Sequence, residues 1–225
     1  MLKQKKHIEL VKACKDRGVV AYATSNGNKK LVSNAETRFV IWNIPAVKTC
    51  PFRTAACESA CYARKAEKVY PSVLPARERN FRDTLAPDFV ERMTYTILAI
   101  RAKSNAKTVV VRIHESGDFY NREYAEMWLA IMENCKGESI KFIAYTKSVK
   151  YFDGVKLPRN FFLRASVWND TTPENLEIVE RNAWPIYTAV EKFEKGDTFT
   201  RCRCADCATC AKCWQAFRDI RCEIH

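Results

Sequence analysis

The chain has 225 residues, 47% hydrophobic and 28% charged, enough to bury a sizeable core and too apolar for a disordered chain. Only 6 Gly and 8 Pro are present, which excludes a collagen-like repeat, a low-complexity linker and a Gly-rich phosphate-loop enzyme. Lys and Arg outnumber Asp and Glu by 38 to 26, a formal net charge of +12 that metal-bound thiolates would lower.

Residues 1–17 read as a short helix, with Ile8, Leu10, Val11 and Cys14 near one face. The basic stretch Met1 to His7 is followed by no apolar core, so it is not a secretory signal. No apolar run reaches the roughly 18 residues of a membrane span. The chain therefore reads as cytoplasmic, with no membrane partner. Residues 37–46 predict a strand ended by Pro45, and 49–63 a Cys-rich loop leading into a helix. Residues 87–105 predict a helix with Pro87 in its first turn and Phe89, Met93, Ile97 and Ile100 at helical spacing. Strands at 108–114, 140–146, 161–167 and 185–190 then alternate with helices at 121–134 and 172–182 and a helical turn at 149–152. Parallel neighbours need a crossover, so this alternation predicts an α/β fold: a partial (β/α) barrel or an open, mostly parallel sheet with helices outside. The body spans 1–200. Residues 201–225 read as a Cys-rich segment, organised by metal and docked on that body.

Eleven cysteines in a reducing compartment point to metal or redox chemistry, and an odd number excludes a fully paired disulfide scaffold. Cys204, Cys207, Cys210 and Cys213 recur every third residue. Thiolates at that spacing converge on a cuboidal cluster, as in ferredoxin-type runs, whereas zinc more often takes two separated Cys-x-x-Cys knuckles. The expectation is a [4Fe–4S] cluster, with zinc as the alternative metal. Cys50, Cys57 and Cys61 form a second group. Three ligands leave one iron open for substrate or cofactor; alternatively, a fourth ligand comes from the C-terminal run and the cluster staples the chain ends. Cys14 and Cys135 sit on apolar helix faces and read as core.

The strand at 108–114 runs out into His114, Glu115, Ser116, Gly117 and Asp118. In parallel α/β sheets ligands bind at the carboxyl ends of strands. Gly117 permits close backbone approach, and Asp118 suits an amino group or metal, though a turn role fits it equally. His114 is a candidate acid–base or ligand group, with a satisfied structural His as the alternative. Arg112, Lys147 and Arg164, at three strand ends, suit an anion-binding rim or ordinary salt bridges.

Thr49-Cys50-Pro51, Cys57-x-x-x-Cys61-Tyr62-Ala63, the stretch from Arg112 to Phe119, Tyr145-Thr146-Lys147 and Cys210-x-x-Cys213-Trp214 together resemble the phage gene product 88 family, over roughly residues 37–214. This implies a phage protein acting in the host cytoplasm. A more distant similarity is to radical S-adenosylmethionine enzymes, where a Cys loop after the first strand holds a [4Fe–4S] cluster and a Gly-Gly-Glu-like stretch ends the second. The similarity implies a partial barrel, and assigns Ser116, Gly117, Asp118 and His114 to the cofactor, S-adenosylmethionine. The loop here is Cys-x6-Cys-x3-Cys, where that family's usual loop is Cys-x3-Cys-x2-Cys.

Three functions follow as expectations: a radical-type enzyme of unnamed substrate, a non-enzymatic iron–sulfur protein with a structural or redox-sensing cluster, and a zinc-stabilised nucleic-acid-binding protein. The last rests on the basic charge, with local runs at 3–7, 77–82 and 101–107. No nucleic-acid recognition motif accompanies that charge. Oligomeric state is not legible.

Overall fold

A computed structural model describes residues 2–25, 28–193, 199–202, 206–215 and 218–223. Helix α1 (Leu2–Asp16) precedes strand β1 (Thr37–Trp42). Helices α2 (Ala55–Ser59), α3 (Tyr62–Val69), α4 (Val73–Asp83) and α5 (Phe89–Lys103) lead to β2 (Thr108–Ile113). Helix α6 (Arg122–Asn134), β3 (Ile140–Thr146), a 3₁₀ turn (Val149–Tyr151), β4 (Phe161–Ser166), α7 (Pro173–Arg181) and β5 (Ile186–Val190) follow. The described C-terminal part holds β6 (Thr200–Arg201), α8 (Cys207–Cys210), a 3₁₀ turn (Lys212–Trp214) and β7 (Ile220–Glu223).

The seven strands among the described residues form one parallel sheet in the order β1-β2-β3-β4-β5-β7-β6. It curves as a half-barrel with helices outside, the architecture that the alternation predicts. Local chemistry sets the helix starts. Asn121 Oδ1 accepts the Tyr124 N–H at 2.8 Å to open α6, and Thr172 caps α7 ahead of Pro173. Each such cap is worth about 1 kcal/mol.

Strand alternation assigns the two faces. Val40 and Trp42, Val109, Val111 and Ile113, Phe142 and Ala144, and Leu163 pack against α5 and α6. These side chains meet Met93, Ile97, Trp128 and Met132 in a core from which water is excluded. The intervening residues, Phe39, Ile41, Val110 and Ile143, face inward against Ala208, Ala211 and Trp214 of the C-terminal segment.

Three differences from the sequence-based expectations have physical causes. Strand β1 ends at Trp42, not residue 46, because Asn43 and Ile44 leave the ladder to bond the turn after β2: Asn43 Oδ1 accepts the Glu115 N–H at 2.7 Å, and Ile44 N–H donates to Ser116 O at 3.1 Å. Helix α4 falls outside the predicted elements, since what it buries is Arg77 and Asn80. Strand β7, of sequence Ile-Arg-Cys-Glu, is too short and too charged to signal a strand, yet it inserts between β5 and β6.

Candidate functional site

The two segments singled out by sequence meet at the carboxyl edge of the sheet. Gly117 has φ +82°, and a Cβ there would lie 2.4 Å from Ile44 Cγ1, 2.6 Å from Thr49 Oγ1 and 3.0 Å from Ile44 O. Only glycine lets the turn after β2 approach the root of the cysteine loop this closely. Ser116 Oγ donates to Ile44 O at 2.9 Å, and Asp118 N–H to Thr49 O at 3.2 Å. Buried Asp118 accepts from Thr146 Oγ1 at 2.5 Å, Lys147 N at 2.9 Å and Phe119 N at 2.8 Å, tying the end of β2 to the end of β3. Burial pushes this carboxyl up, and those hydrogen bonds oppose the shift.

Helices α3 and α4 hold the same junction from the other side. Glu67 Oε1 accepts Ala46 N–H at 2.8 Å and pairs with Arg77 Nη1 at 2.9 Å. Arg77 also donates to Ala63 O at 3.0 Å, and Asn80 Nδ2 to Asn43 O at 2.9 Å. These residues are hard to find from sequence because they are charged or polar positions among many others on helices rich in Lys, Arg and Glu. The one available signal is Asn43, a lone amide at the exit of an apolar strand.

Cys50, Cys57 and Cys61 share one neighbourhood. Burial first, then Asp118 and the two other cysteines, push the Cys50 thiol up to about 12. Cys57 is raised by burial, with Cys61, Asp118 and Asp170 adding to it and Lys147 opposing. The loop is pinned on its far side, where Asp170 Oδ2 accepts the Ala56 N–H at 2.8 Å. Among the described residues, no three or more His, Cys, Asp or Glu side chains are arranged to hold a metal ion.

In the C-terminal group Cys204 lies outside the described residues. Cys207 and Cys210 bound α8, and Cys213 lies in the turn that follows. Burial raises the Cys213 thiol, and Cys210 adds to it; a hydrogen bond with Tyr145 and the charges of Arg164 and Arg112 oppose. Two anchors set this segment on the concave face. Trp214 meets Phe39 edge-on at 5.6 Å. Arg164 donates to three backbone carbonyls: Cys213 O at 3.0 Å, Arg218 O at 2.7 Å and Lys212 O at 3.2 Å.

The other candidates separate. His114 has φ +62°, a left-handed conformation that takes its side chain off the strand alternation and into the helix layer. Its ring lies against Phe119, and its Nε2 is 2.9 Å from Tyr124 Oη. The pair Ser116 and Asp118 is engaged with protein partners as described above. Of the proposed rim, Arg164 is taken up by carbonyls, and Lys147 donates to Ser166 O at 3.1 Å near the Trp168 ring. Burial lowers the Lys147 ammonium, opposed by Cys57, Asp170 and Asp118. Lys147 also lines a small cavity of about 10 Å³ with Phe52, Thr54 and Ser166. Of the three rim residues, Arg112 alone has a buried donor, Nη1, with no acceptor among the described residues. In the basic run at 77–82, Arg77 is buried in its pair with Glu67.

Fold and site together define an α/β half-barrel protein with one cysteine group over its strand ends and another against its concave face. The chain belongs to the gene product 88 family, whose model matches residues 20–216. It is 27% identical over 138 residues to the gene 88 protein of Mycobacterium phage D29, covering 58% of this chain and 55% of that protein. It is 29% identical over 104 residues to the gene 88 protein of Mycobacterium phage L5, covering 44% and 43%. The chain thus spans about half the length of the curated relatives it matches. No solved structure matches it. No helix among the described residues is long and apolar enough to cross a membrane.

Proposed function

We propose that this protein is an iron–sulfur protein. In this reading Cys50, Cys57 and Cys61 hold a [4Fe–4S] cluster, and Cys204, Cys207, Cys210 and Cys213 are ligands of a second centre. One observation carries the reading: Cys50, Cys57 and Cys61 gather beside the strand-end turn, where burial and the neighbouring cysteines raise the Cys50 and Cys57 thiols. Such thiols stay protonated without a cation, and a metal centre reverses that logic by binding them as thiolates. The period of three in the C-terminal run favours a cluster, because zinc more often takes two separated Cys-x-x-Cys knuckles. A tetrahedral ion with bonds of about 2.3 Å needs its sulfurs within about 4 Å of one another. A cuboidal cluster spreads its cysteines more widely.

A bound cluster supplies one-electron chemistry. The chain's own part is to fix the loop: Gly117 admits the close approach, Glu67 and Arg77 clamp residue 46, and Asp118 ties the strand ends together.

Whether the protein is also a radical S-adenosylmethionine-like enzyme is a second reading, favoured by the placement of the cysteine loop directly on the turn after β2. The carboxylate of Asp118 already has three donors, so contacts to that cofactor's amino-acid end would fall mainly to other groups.

The test is iron and acid-labile sulfide analysis with visible absorption on protein purified without air. Brown protein with about four iron and four sulfide per cluster supports the reading. Replacing Cys50, Cys57 and Cys61 with Ala should then remove one cluster's share. Colourless protein with zinc would overturn it and favour a zinc-stabilised, nucleic-acid-binding protein, to be checked by salt-dependent binding. Reductive cleavage of S-adenosylmethionine by the brown protein decides the enzyme question.

A further inference from the structure

Arg112 lies on the concave face, next to last in β2, in register with Ile41 and Ile143. Its guanidinium carbon sits 3.8 Å from the centre of the Tyr145 ring. That ring is itself 4.5 Å from Tyr187, edge to face. Arg112 Nη1 is buried and has no hydrogen-bond acceptor among the described residues. Nor does the cation have a carboxylate partner among them. The nearest candidate in sequence, Glu115, is engaged by Asn28 Nδ2 and, at 3.3 Å, by Asn43 Nδ2. The residue as a whole is only partly buried, as are Tyr145 and Tyr187, so solvent reaches the rim of this face while Nη1 itself is closed off.

An arginine edge without an acceptor, in a wall of aromatic rings, is costly for folding alone. Nearby arginines show what structural use looks like: Arg164 meets three carbonyls, and Arg77 meets Glu67 and Ala63 O. Guanidinium groups recognise carboxylate and phosphate through paired N–H donors. Its charge is felt at Cys213, so the C-terminal cysteine segment borders this face.

We propose that the concave face is a binding site for a small molecule bearing a carboxylate or phosphate, with Arg112 as its anchor and Tyr145 and Tyr187 as its walls. The site needs no metal, so this goes beyond the iron–sulfur reading and stands or falls separately from it.

The probes are inorganic phosphate and benzoate, a planar carboxylate, titrated into the full-length protein as purified. Heat of binding and thermal stability are both recorded. Saturable binding of one or both is expected, and the stronger probe distinguishes a phosphate from a carboxylate ligand. Arg112→Met should weaken that binding by roughly tenfold or more, and Arg112→Lys by less, since an ammonium keeps the charge but loses the fork. Arg122→Met, at an exposed site on α6, should bind as the wild type does. Without anion, Arg112→Met should melt at or above the wild-type temperature, because it removes a poorly paired cation. Absence of saturable binding at millimolar concentrations, or equal binding by Arg112→Met, overturns the proposal. So does a large drop in melting temperature with binding unchanged, which would make Arg112 structural. Iron and sulfide content are read separately, so failure of one reading is not failure of the other.

Discussion

On β2, Val109, Val111 and Ile113 face the helices, while Val110 and Arg112 face the C-terminal segment. Neighbouring residues of one strand thus serve two regions of different physics. The convex side is continuous apolar packing with Trp42 and Trp128 fully enclosed. The concave side mixes Phe39 and Ile143 with Arg112, Tyr145 and Arg164, and it is covered by residues of a cysteine-bearing segment. One face provides stability, and the other can carry polar groups because the first is so well packed.

The largest test of that division is Trp128→Ala. Removing an enclosed indole from the convex core should cost about 4 kcal/mol, read as a lower denaturation midpoint with an unchanged slope. If the faces are independent, anion binding at Arg112 survives in whatever fraction stays folded. Coupled loss of affinity in folded protein would show that the two faces act as one unit.

Gly117→Ala attacks the seam between them. The added methyl meets Ile44 and Thr49, and the backbone stays left-handed. A left-handed conformation plus overpacking should cost about 3 kcal/mol. If the proposed cluster forms, its iron should fall too, because the loop root must shift. Unchanged stability would mean that this close approach relaxes freely.

Arg164→Lys is the concave counterpart. An ammonium cannot reach Cys213 O, Lys212 O and Arg218 O together. Losing part of that set should cost about 2 kcal/mol. The loss should be local, seen as faster proteolysis within the C-terminal segment before the body unfolds.

The alternation of strands and helices was legible because the strands are nearly continuous apolar runs, and parallel pairing demands crossovers. The cysteine groups and the strand-end turn were legible because their residue types are rare. Helix α4 was not, since it buries Arg77 and Asn80 instead of an apolar stripe. Nor was the inward or outward sense of single polar residues. Arg112 and Arg164 share a face and read alike in sequence, yet Arg164 is engaged by three carbonyls while Arg112 Nη1 has no acceptor among the described residues. Periodicity assigns a face; only packing assigns a partner.

His114 shows how one dihedral moves a residue between the two regions. Strand alternation would place it beside Arg112 on the concave face, but φ +62° turns it into the helix layer. There burial, and secondarily the Arg112 charge, lower its pKa to about 3. Tyr124 of α6 also faces it, and Nδ1 has no hydrogen-bond partner among the described residues. The unfolded chain takes up a proton near pH 6.5 that the folded chain refuses until about pH 3. This contribution to stability is therefore present in full above 6.5 and declines as the pH falls. The expected decline is about 1.4 kcal/mol per pH unit, or about 2 kcal/mol between pH 7 and pH 5. His114→Asn keeps a residue type that tolerates the left-handed backbone. It should flatten that limb of the stability curve even though it lowers the plateau. A limb as steep in the variant as in the wild type would mean that another group titrates there, and that His114 sits closer to the wet concave face than to the core.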